Sequence, residues 1–584
     1  MITHTLRPEP KAHYWHITLG FTQTDNAPAV LKLANWVPGS YTIRDFARHI
    51  VEIHAECNGQ PAALVQTAKN TWHTAAQAGE WRVRYTVYAY DLSVRAAYLT
   101  AERGFFDGAC LLFAIEGRLN ETQTLVLEHL PEGWQTATTL PAIGANVFQT
   151  ASYGELIDHP VELGRIETLA FEAHGIPHCI ALSGHYPDFD RDRLRRDVQR
   201  ICETQLALFP APAPFAEYLF LLHLGDNIYG GLEHRSSTAL HADRRSLPPH
   251  GMGEANEACT ELLGLFSHEY FHAWNVKSVK PAAFAPYDLD RENHTEQLWA
   301  FEGITAYYDD LILARSRVIS PENYLTLLAK NITRVQRNKG RLKQTLAQSS
   351  YTAWHKYYKA DENAPNALVS YYQQGALAAL CLDLAIREKS AGAHSLDTVM
   401  QQLYRDWLHT QRGIAEGQWQ TRCQEITGLD LADFFQTALH TTAPLPLAES
   451  LRTAGIRLQY AALPRSHGGG LGTDTLPSEP APDFGARFSQ KADHALLTHI
   501  LNGGSAEAAA LCPGDKIIAV NNYACTDLAG ILAAARTGDT LEIHYFRHGL
   551  LHRTTLILHE AEADTALLYI EDADKLGRWL AGTL

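Results

Sequence analysis

Apolar positions alternate with polar ones in short stretches through the first part of the chain. His13-Tyr14-Trp15-His16-Ile17-Thr18-Leu19 and Glu80-Trp81-Arg82-Val83-Arg84-Tyr85-Thr86-Val87-Tyr88 carry an apolar side chain at every second position, the period of a strand with one buried face. Gly, Pro and Asn interrupt these stretches often, so residues 1–165 are predicted to form a β-sandwich. Residues 166–270 read as a mixture: Tyr218-Leu219-Phe220-Leu221-Leu222-His223-Leu224 as a strand, 194–208 as a helix. Residues 271–448 are predicted to be largely helical. Apolar residues recur three and four apart in 321–335 and 375–388, and Pro321 after Ser320 marks a helix start. Residues 449–562 return to strand periods, as in Leu496-Leu497-Thr498-His499-Ile500-Leu501, behind a Gly- and Pro-rich stretch from Ser466 to Pro482 that reads as a flexible loop. Residues 563–584 form a tail whose Leu567-Leu568-Tyr569-Ile570 and Trp579-Leu580 are predicted to pack back on the body. The pattern predicts a multidomain α+β chain without internal repeats.

Within this pattern one stretch carries chemistry: His268-Glu269-Tyr270-Phe271-His272, which continues the helical run beginning near Glu261. Residues four apart lie on one helix face, so both imidazoles can reach one metal ion. Glu269 projects about 100° round from His268, where a carboxylate can hold a water that the metal polarises. A zinc peptidase needs a third protein ligand. Glu302, in Leu298-Trp299-Ala300-Phe301-Glu302-Gly303-Ile304-Thr305-Ala306-Tyr307-Tyr308-Asp309, is the candidate, because Trp299, Phe301, Tyr307 and Tyr308 surround it with groups that prefer burial. Asp309 lies two helical turns on, where it can accept the free N–H of a metal-bound imidazole. The metal helix falls where the mixed region meets the helical one, and a cleft is expected there. Gly230-Gly231-Leu232-Glu233 reads as a loop that leaves the strand at 218–224. Paired glycines let a substrate backbone approach closely, and the acid beside them can hold a peptide's α-ammonium.

Composition narrows the class. The chain has 584 residues, 46% hydrophobic and 20% charged, enough for three or four globular domains. The net charge of −16 argues against nucleic acid or another polyanion as partner. The start shows no signal-peptide core, and the most apolar run, 376–386, is broken by Asp383. Nine cysteines without a Cys-x-x-Cys read as buried reduced thiols. A cytoplasmic enzyme without membrane attachment is expected.

The string His268-Glu269-Tyr270-Phe271-His272-Ala273-Trp274-Asn275-Val276-Lys277, followed by Glu302-Gly303-Ile304-Thr305-Ala306-Tyr307-Tyr308, resembles the gluzincin metallopeptidases, and among them the glycyl aminopeptidase family, metallopeptidase family sixty-one. Trp36-Val37-Pro38-Gly39-Ser40-Tyr41-Thr42-Ile43-Arg44-Asp45 is similar to that family's N-terminal β-domain signature. The resemblance spans nearly the whole chain and implies a thermolysin-like catalytic domain at 166–448, with a mixed lobe at 166–270 and a helical lobe at 271–448. By the same resemblance Glu233 takes the amine-binding role with Gly230 and Gly231, although His234 stands where related enzymes often carry Asn. Tyr372, in Ser370-Tyr371-Tyr372-Gln373-Gln374-Gly375, aligns on the glycine with the tyrosine that donates to the oxyanion, with Tyr371 as rival. Gly504-Ser505-Ala506-Glu507-Ala508 and Leu511-Cys512-Pro513-Gly514-Asp515-Lys516-Ile517 resemble a bacterial PDZ domain, here 449–562. Its candidate carboxylate loop is Phe484, Gly485, Ala486 and Arg487.

The resulting expectation is an aminopeptidase with one Zn²⁺ per chain. It would release N-terminal residues from peptides by metal-activated water, with Gly and Ala preferred as the resemblance implies. A peptide C-terminus is expected as partner of the PDZ module. Two alternatives stand beside it: an endopeptidase or oligopeptidase with the same chemistry, and a non-catalytic PDZ-bearing scaffold.

Overall fold

The computed structural model describes residues 2–473, 476 and 479–582. It divides into two compact units: residues 1–293 with 316–319 and 401–415, and residues 294–315 with 320–400 and 416–584.

The first unit opens with an eight-stranded sheet. Ile2–Glu9 pairs antiparallel with Tyr14–Gln23, which pairs antiparallel with Gly79–Tyr88. The alternation seen in sequence sets this register. Trp15, Ile17, Leu19 and Phe21 lie opposite Val87, Tyr85, Val83 and Trp81, all buried, so one row of side chains on each strand joins a single core. Two four-stranded sheets complete the layer structure, and aromatic contacts such as Trp15 with Phe106 and Tyr85 with Phe113 fill the space. The β-sandwich reading of the N-terminal region is thus realised as a sandwich-like arrangement of three sheets.

A five-stranded sheet follows in the order Glu167–Ala173, Ile176–Gly184, Tyr218–Gly225, Ser237–Asp243, Gly230–Glu233. Its three central strands run parallel. Tyr218–Gly225 is apolar almost throughout because both faces are covered. The helix Glu257–Phe271 packs on this sheet: Tyr270 meets Tyr218 and Phe220, and Phe266 meets Phe220. The Gly230–Glu233 stretch, expected as a loop, is an edge strand antiparallel to Ser237–Asp243. The Asn35-Trp36 segment is tied to 288–290 of the same unit: Trp36 Nε1 donates to Asp288 O (2.8 Å) and Asn35 Nδ2 to Asp290 O (2.8 Å).

The second unit is helical, with a β-rich module toward its end. Ile304–Arg315, Pro321–Gln336 and Gln373–Lys389 carry much of its core. Ser320 caps Pro321–Gln336 through a side-chain acceptor to Asn323 N, as the sequence start signal predicts. Residues 563–582 pack into this unit, as their apolar positions predict. Thr565–Ile570 pairs with Ile456–Ala461, and the helix Ala573–Leu580 buries Trp579 against Asp383. Part of the predicted flexible loop is also strand: Gly470–Leu471 runs parallel to Thr565–Ile570. Residues 474, 475, 477 and 478 of that loop lie outside the described residues. A separate six-stranded sheet spans Ala486–Gln490 to Leu550–Ile557. Among the described residues, no helix is long and apolar enough to cross a membrane.

Candidate metal and peptide site

The helix Glu257–Phe271 starts at Asn256, whose side chain accepts from Cys259 N, and ends at His272. Its buried apolar residues fix the rotation of the helix, so His268 and His272 leave it on one side. Their Nε2 atoms lie 3.1 Å apart, with the ring planes at 87°. Two nitrogens on one tetrahedral zinc ion, at ~2.0–2.1 Å each, stand ~3.3 Å apart, so the pair fits such an ion. The tautomer agrees. His272 Nδ1 lies 2.8 Å from Asn275 O, a carbonyl that can only accept. Nδ1 therefore carries the proton and Nε2 keeps its lone pair.

The chain after the helix is bent to make that contact. Val276 holds φ of 123°, a region costly for a β-branched residue, while Val276 N donates to Val279 O and Lys277 N donates to His272 O. The Asn275-Val276-Lys277 part of the motif thus secures the orientation of His272. The expectation that Asp309 orients an imidazole does not hold for His272, whose Nδ1 is held by this backbone carbonyl.

Glu269 is buried, and its Oε2 has no hydrogen-bond partner among the described residues. Burial pushes its pKa up to about 7; His268 and His272 pull against that, and Glu233 adds to it. The glycine strand explains how the second carboxylate comes close. A Cβ at Gly231 would fall on Glu269 Oε1, so no other residue fits there without displacing the carboxylate. Two residues on along the same strand, Glu233 is 4% exposed and its Oε1 is likewise unpartnered. Carboxylate oxygens of Glu233 and Glu269 and a ring nitrogen of His272 lie within 4.8 Å of one another. Two unpaired buried carboxylates beside imidazoles form a cradle for cations. Gly39 of the N-terminal Val37-Pro38-Gly39-Ser40 turn presses on Glu233 from the other side. It has φ of 95°, and a Cβ there would lie 2.6 Å from both carboxylate oxygens.

His234, which departs from the usual pattern, has a local reason. Its buried ring sits between Asp158 (Nδ1 to Oδ1, 3.4 Å) and Asp107 (Nε2 to Oδ2, 3.8 Å). Asp158 also accepts from Lys277 Nζ at 2.6 Å. Burial drives the Asp107 carboxyl up to about 6, against the pull of His234.

Sequence reasoning missed Arg95. Its Nη2 donates to Gly231 O at 2.7 Å, and its charge lowers the Glu269 pKa. The signal was available: Arg95 is a lone cation between Val94 and Ala96-Ala97, all three of which are buried.

In the second unit Glu302 is 2% exposed and sits in a π-helical turn, Trp299–Gly303, rather than in regular α-helix. Such turns recur at functional sites. Gly303 lies against Gly375 Cα and Tyr371 O, which brings the Glu302 turn beside the start of the helix Gln373–Lys389. Tyr371 is fully buried, whereas Tyr372 is half-buried and its hydroxyl lies 3.0 Å from that of Tyr358. Asp309 is half-buried in Ile304–Arg315. In the six-stranded module Phe484 and Ala486 are buried, while Arg487 is exposed. Gly485 N donates to Asp483 Oδ1 (3.1 Å), and Asp483 forms a two-pronged pair with Arg465. That amide is satisfied within the chain.

No curated protein matches this chain. The M61 glycyl aminopeptidase family description matches residues 261–378, and that of the peptidase M61 N-terminal domain matches residues 5–165. The crystal structure of an aminopeptidase N family protein from Idiomarina loihiensis is similar over 99% of this chain and 100% of its own, with 39% identity and a TM-score of 0.95. More distant are two structures of an M1 zinc metallopeptidase from Deinococcus radiodurans. A mutant bound to a Tyr-Ser-Ala substrate is 15% identical (TM-score 0.47, 76% of this chain and 95% of that one). The other has 14% identity with the same coverage and TM-score. With both family descriptions matched and a full-length relative at 39% identity, the chain belongs to the M61 family of glycyl aminopeptidases and is a peptidase.

Proposed function

We propose that this peptidase is a zinc-dependent aminopeptidase that removes small N-terminal residues, Gly and Ala, from peptides. The observation that carries this reading is the buried pair of unpartnered carboxylates, Glu233 and Glu269, set beside the converging His268 and His272 nitrogens. One carboxylate serves the chemistry and the other the substrate's amine. His268, His272 and Glu302 would hold one zinc ion, with Asp309 orienting His268. Zinc, when bound, supplies a Lewis acid that polarises the scissile carbonyl and acidifies water.

This chain's residues do the rest. Glu269 takes a proton from the attacking water as its oxygen bonds to the acyl carbon. It then delivers that proton to the departing amine nitrogen as the C–N bond breaks. The Tyr372 hydroxyl donates to the developing oxyanion; such donors are worth ~3–4 kcal/mol in the transition state. Tyr372 is favoured over Tyr371 because it is the less buried of the two. Glu233 pairs with the α-ammonium in a dry setting, where a charge-assisted bond gains strength. The Gly39 turn packs against the Glu233 carboxylate and closes one side of it, which supports reading Glu233 as an anchor for a free amine.

For the C-terminal module we propose a PDZ fold at 449–562. Ala486–Gln490 pairs only with Ala495–Ile500 among the described residues, leaving an edge on which an extended peptide could add.

Hydrolysis of Gly-p-nitroanilide and of its N-acetylated form tests the function. Wild type should cleave the free amine and lose most kcat/KM on the blocked one, and Glu233→Ala should abolish that preference. Equal cleavage of both by wild type would favour an endopeptidase. No cleavage of any peptide by the zinc-loaded protein would favour the scaffold.

A further inference from the structure

Beside the amine-anchoring strand the first unit holds a cavity of about 750 Å³ in which Glu233, Glu269, His268 and His272 take no part. It has the size of a small-molecule site. Its wall is largely apolar and includes Phe284, Tyr287 and Trp407.

The charges that face it do not balance. Lys277 is neutralised by Asp158 at 2.6 Å. Glu155 is engaged through Oε2, which accepts from Ala151 N. Lys280 has no such partner. Its Nζ lies 5.1 Å from the Tyr287 ring centre, and among the described residues it pairs with no carboxylate. Arg235 also faces the cavity with its guanidinium unpaired among the described residues. Burial, reinforced by Lys277 and Arg235, pulls the Lys280 ammonium down to about 7, as expected for a cation without a counterion.

We propose that this cavity is a second ligand site that binds an organic carboxylate with an aromatic or branched apolar body, its anion paired with Lys280 and Arg235. A monoanion would supply the missing counter-charge, while the aromatic wall takes the apolar body. A highly charged ligand such as a polyphosphate would find too few donors there. The occupant would touch His234, which follows Glu233 in the chain, and Pro38, which precedes the Gly39 that packs on Glu233. The proposal does not depend on the peptidase mechanism, because none of the proposed catalytic residues lines the cavity.

The test is calorimetric titration of the full zinc-loaded chain with 4-phenylbutyrate and with its neutral counterpart 4-phenylbutanol. The acid should bind at least tenfold more tightly than the alcohol, and Lys280→Met should erase that preference. Arg235→Met, on the exposed side of the same cavity, should weaken the acid severalfold and serves as the second variant should Lys280→Met fail to fold. Equal binding of acid and alcohol, or no binding of the acid by wild type, overturns the proposal. So does a preference that survives in both variants, which would place the acid at the metal instead.

Discussion

At the scale of single residues, Glu233, Glu269 and His272 are buried together beside a half-buried His268, and they differ in what they touch. His272 is locked by Asn275 O, so its orientation does not depend on a bound ion. Glu269 Oε2 has no hydrogen-bond partner among the described residues. If Glu269 is the general base, Glu269→Gln should retain zinc while losing at least ~10² in kcat. Metal analysis beside steady-state rates checks this, and a variant within a few-fold of wild type would exclude the role. Glu302→Ala should do the reverse of retaining metal. It should leave the protein folded but far below one zinc per chain after dialysis, and full occupancy in that variant would remove Glu302 from the ligand set.

At the scale of elements, the edge strand Gly230–Glu233 carries the proposed amine anchor, and its placement depends on residues outside it. Gly231 is required where the strand passes Glu269: Gly231→Ala should cut kcat/KM by at least ~10² with an unchanged circular dichroism spectrum, since the methyl group must displace the Glu269 carboxylate. Arg95 holds the strand through Gly231 O. A hydrogen bond from a charged donor is worth ~1.5–3 kcal/mol. Arg95→Met should therefore lower kcat/KM roughly 10- to 100-fold, and zinc content should stay unchanged. An Arg95→Met enzyme of wild-type efficiency would show that the strand keeps its place unaided. The helix was legible from its four-residue His spacing, and the paired glycines from the strand at 218–224 that runs into them, but not that these glycines themselves lie in a strand. Their mutual approach was not legible, because it depends on the order of strands in a sheet, and that order is set by long-range packing.

At the scale of the whole molecule, the first unit buries His4, His178 and His241 and half-buries His223, and holds all four against protonation. Burial pulls His4 and His178 down to about 4, His241 to about 3 and His223 lower still. Below pH 6.5 the unfolded chain takes up protons that the fold refuses. The stability present above pH 6.5 is therefore lost as pH falls from about 6.5 through about 4. Asp107 and Glu269, raised by burial to about 6 and about 7, act with the opposite sign, since the fold holds their protons more tightly than the unfolded chain does. Four groups outweigh two. Between pH 7 and pH 5 the net loss should be on the order of a few kcal/mol. The urea midpoint of the metal-free protein should drop over that interval, and a flat or rising midpoint would contradict the burial of these rings.

What the sequence alone determined is what local physics encodes. Alternation in 80–88 and in 13–19 predicted strands because a side-chain period of two is a property of the extended backbone. The His268 and His272 spacing predicted a metal-binding helix face because four residues make about one turn, and Glu302 stood out as an acid among aromatics. Tertiary structure alone decided the rest. It turned the expected glycine loop into an edge strand, set the Glu302 segment into a π-helical turn, and pinned His272 with the backbone carbonyl of Asn275. It also brought Gly39 onto Glu233 and Arg95 onto Gly231, across 194 and 136 positions of sequence respectively. No local period records such pairs. They exist because burying the apolar faces of separate sheets brings distant segments together, and the polar groups carried along must then be satisfied where they meet.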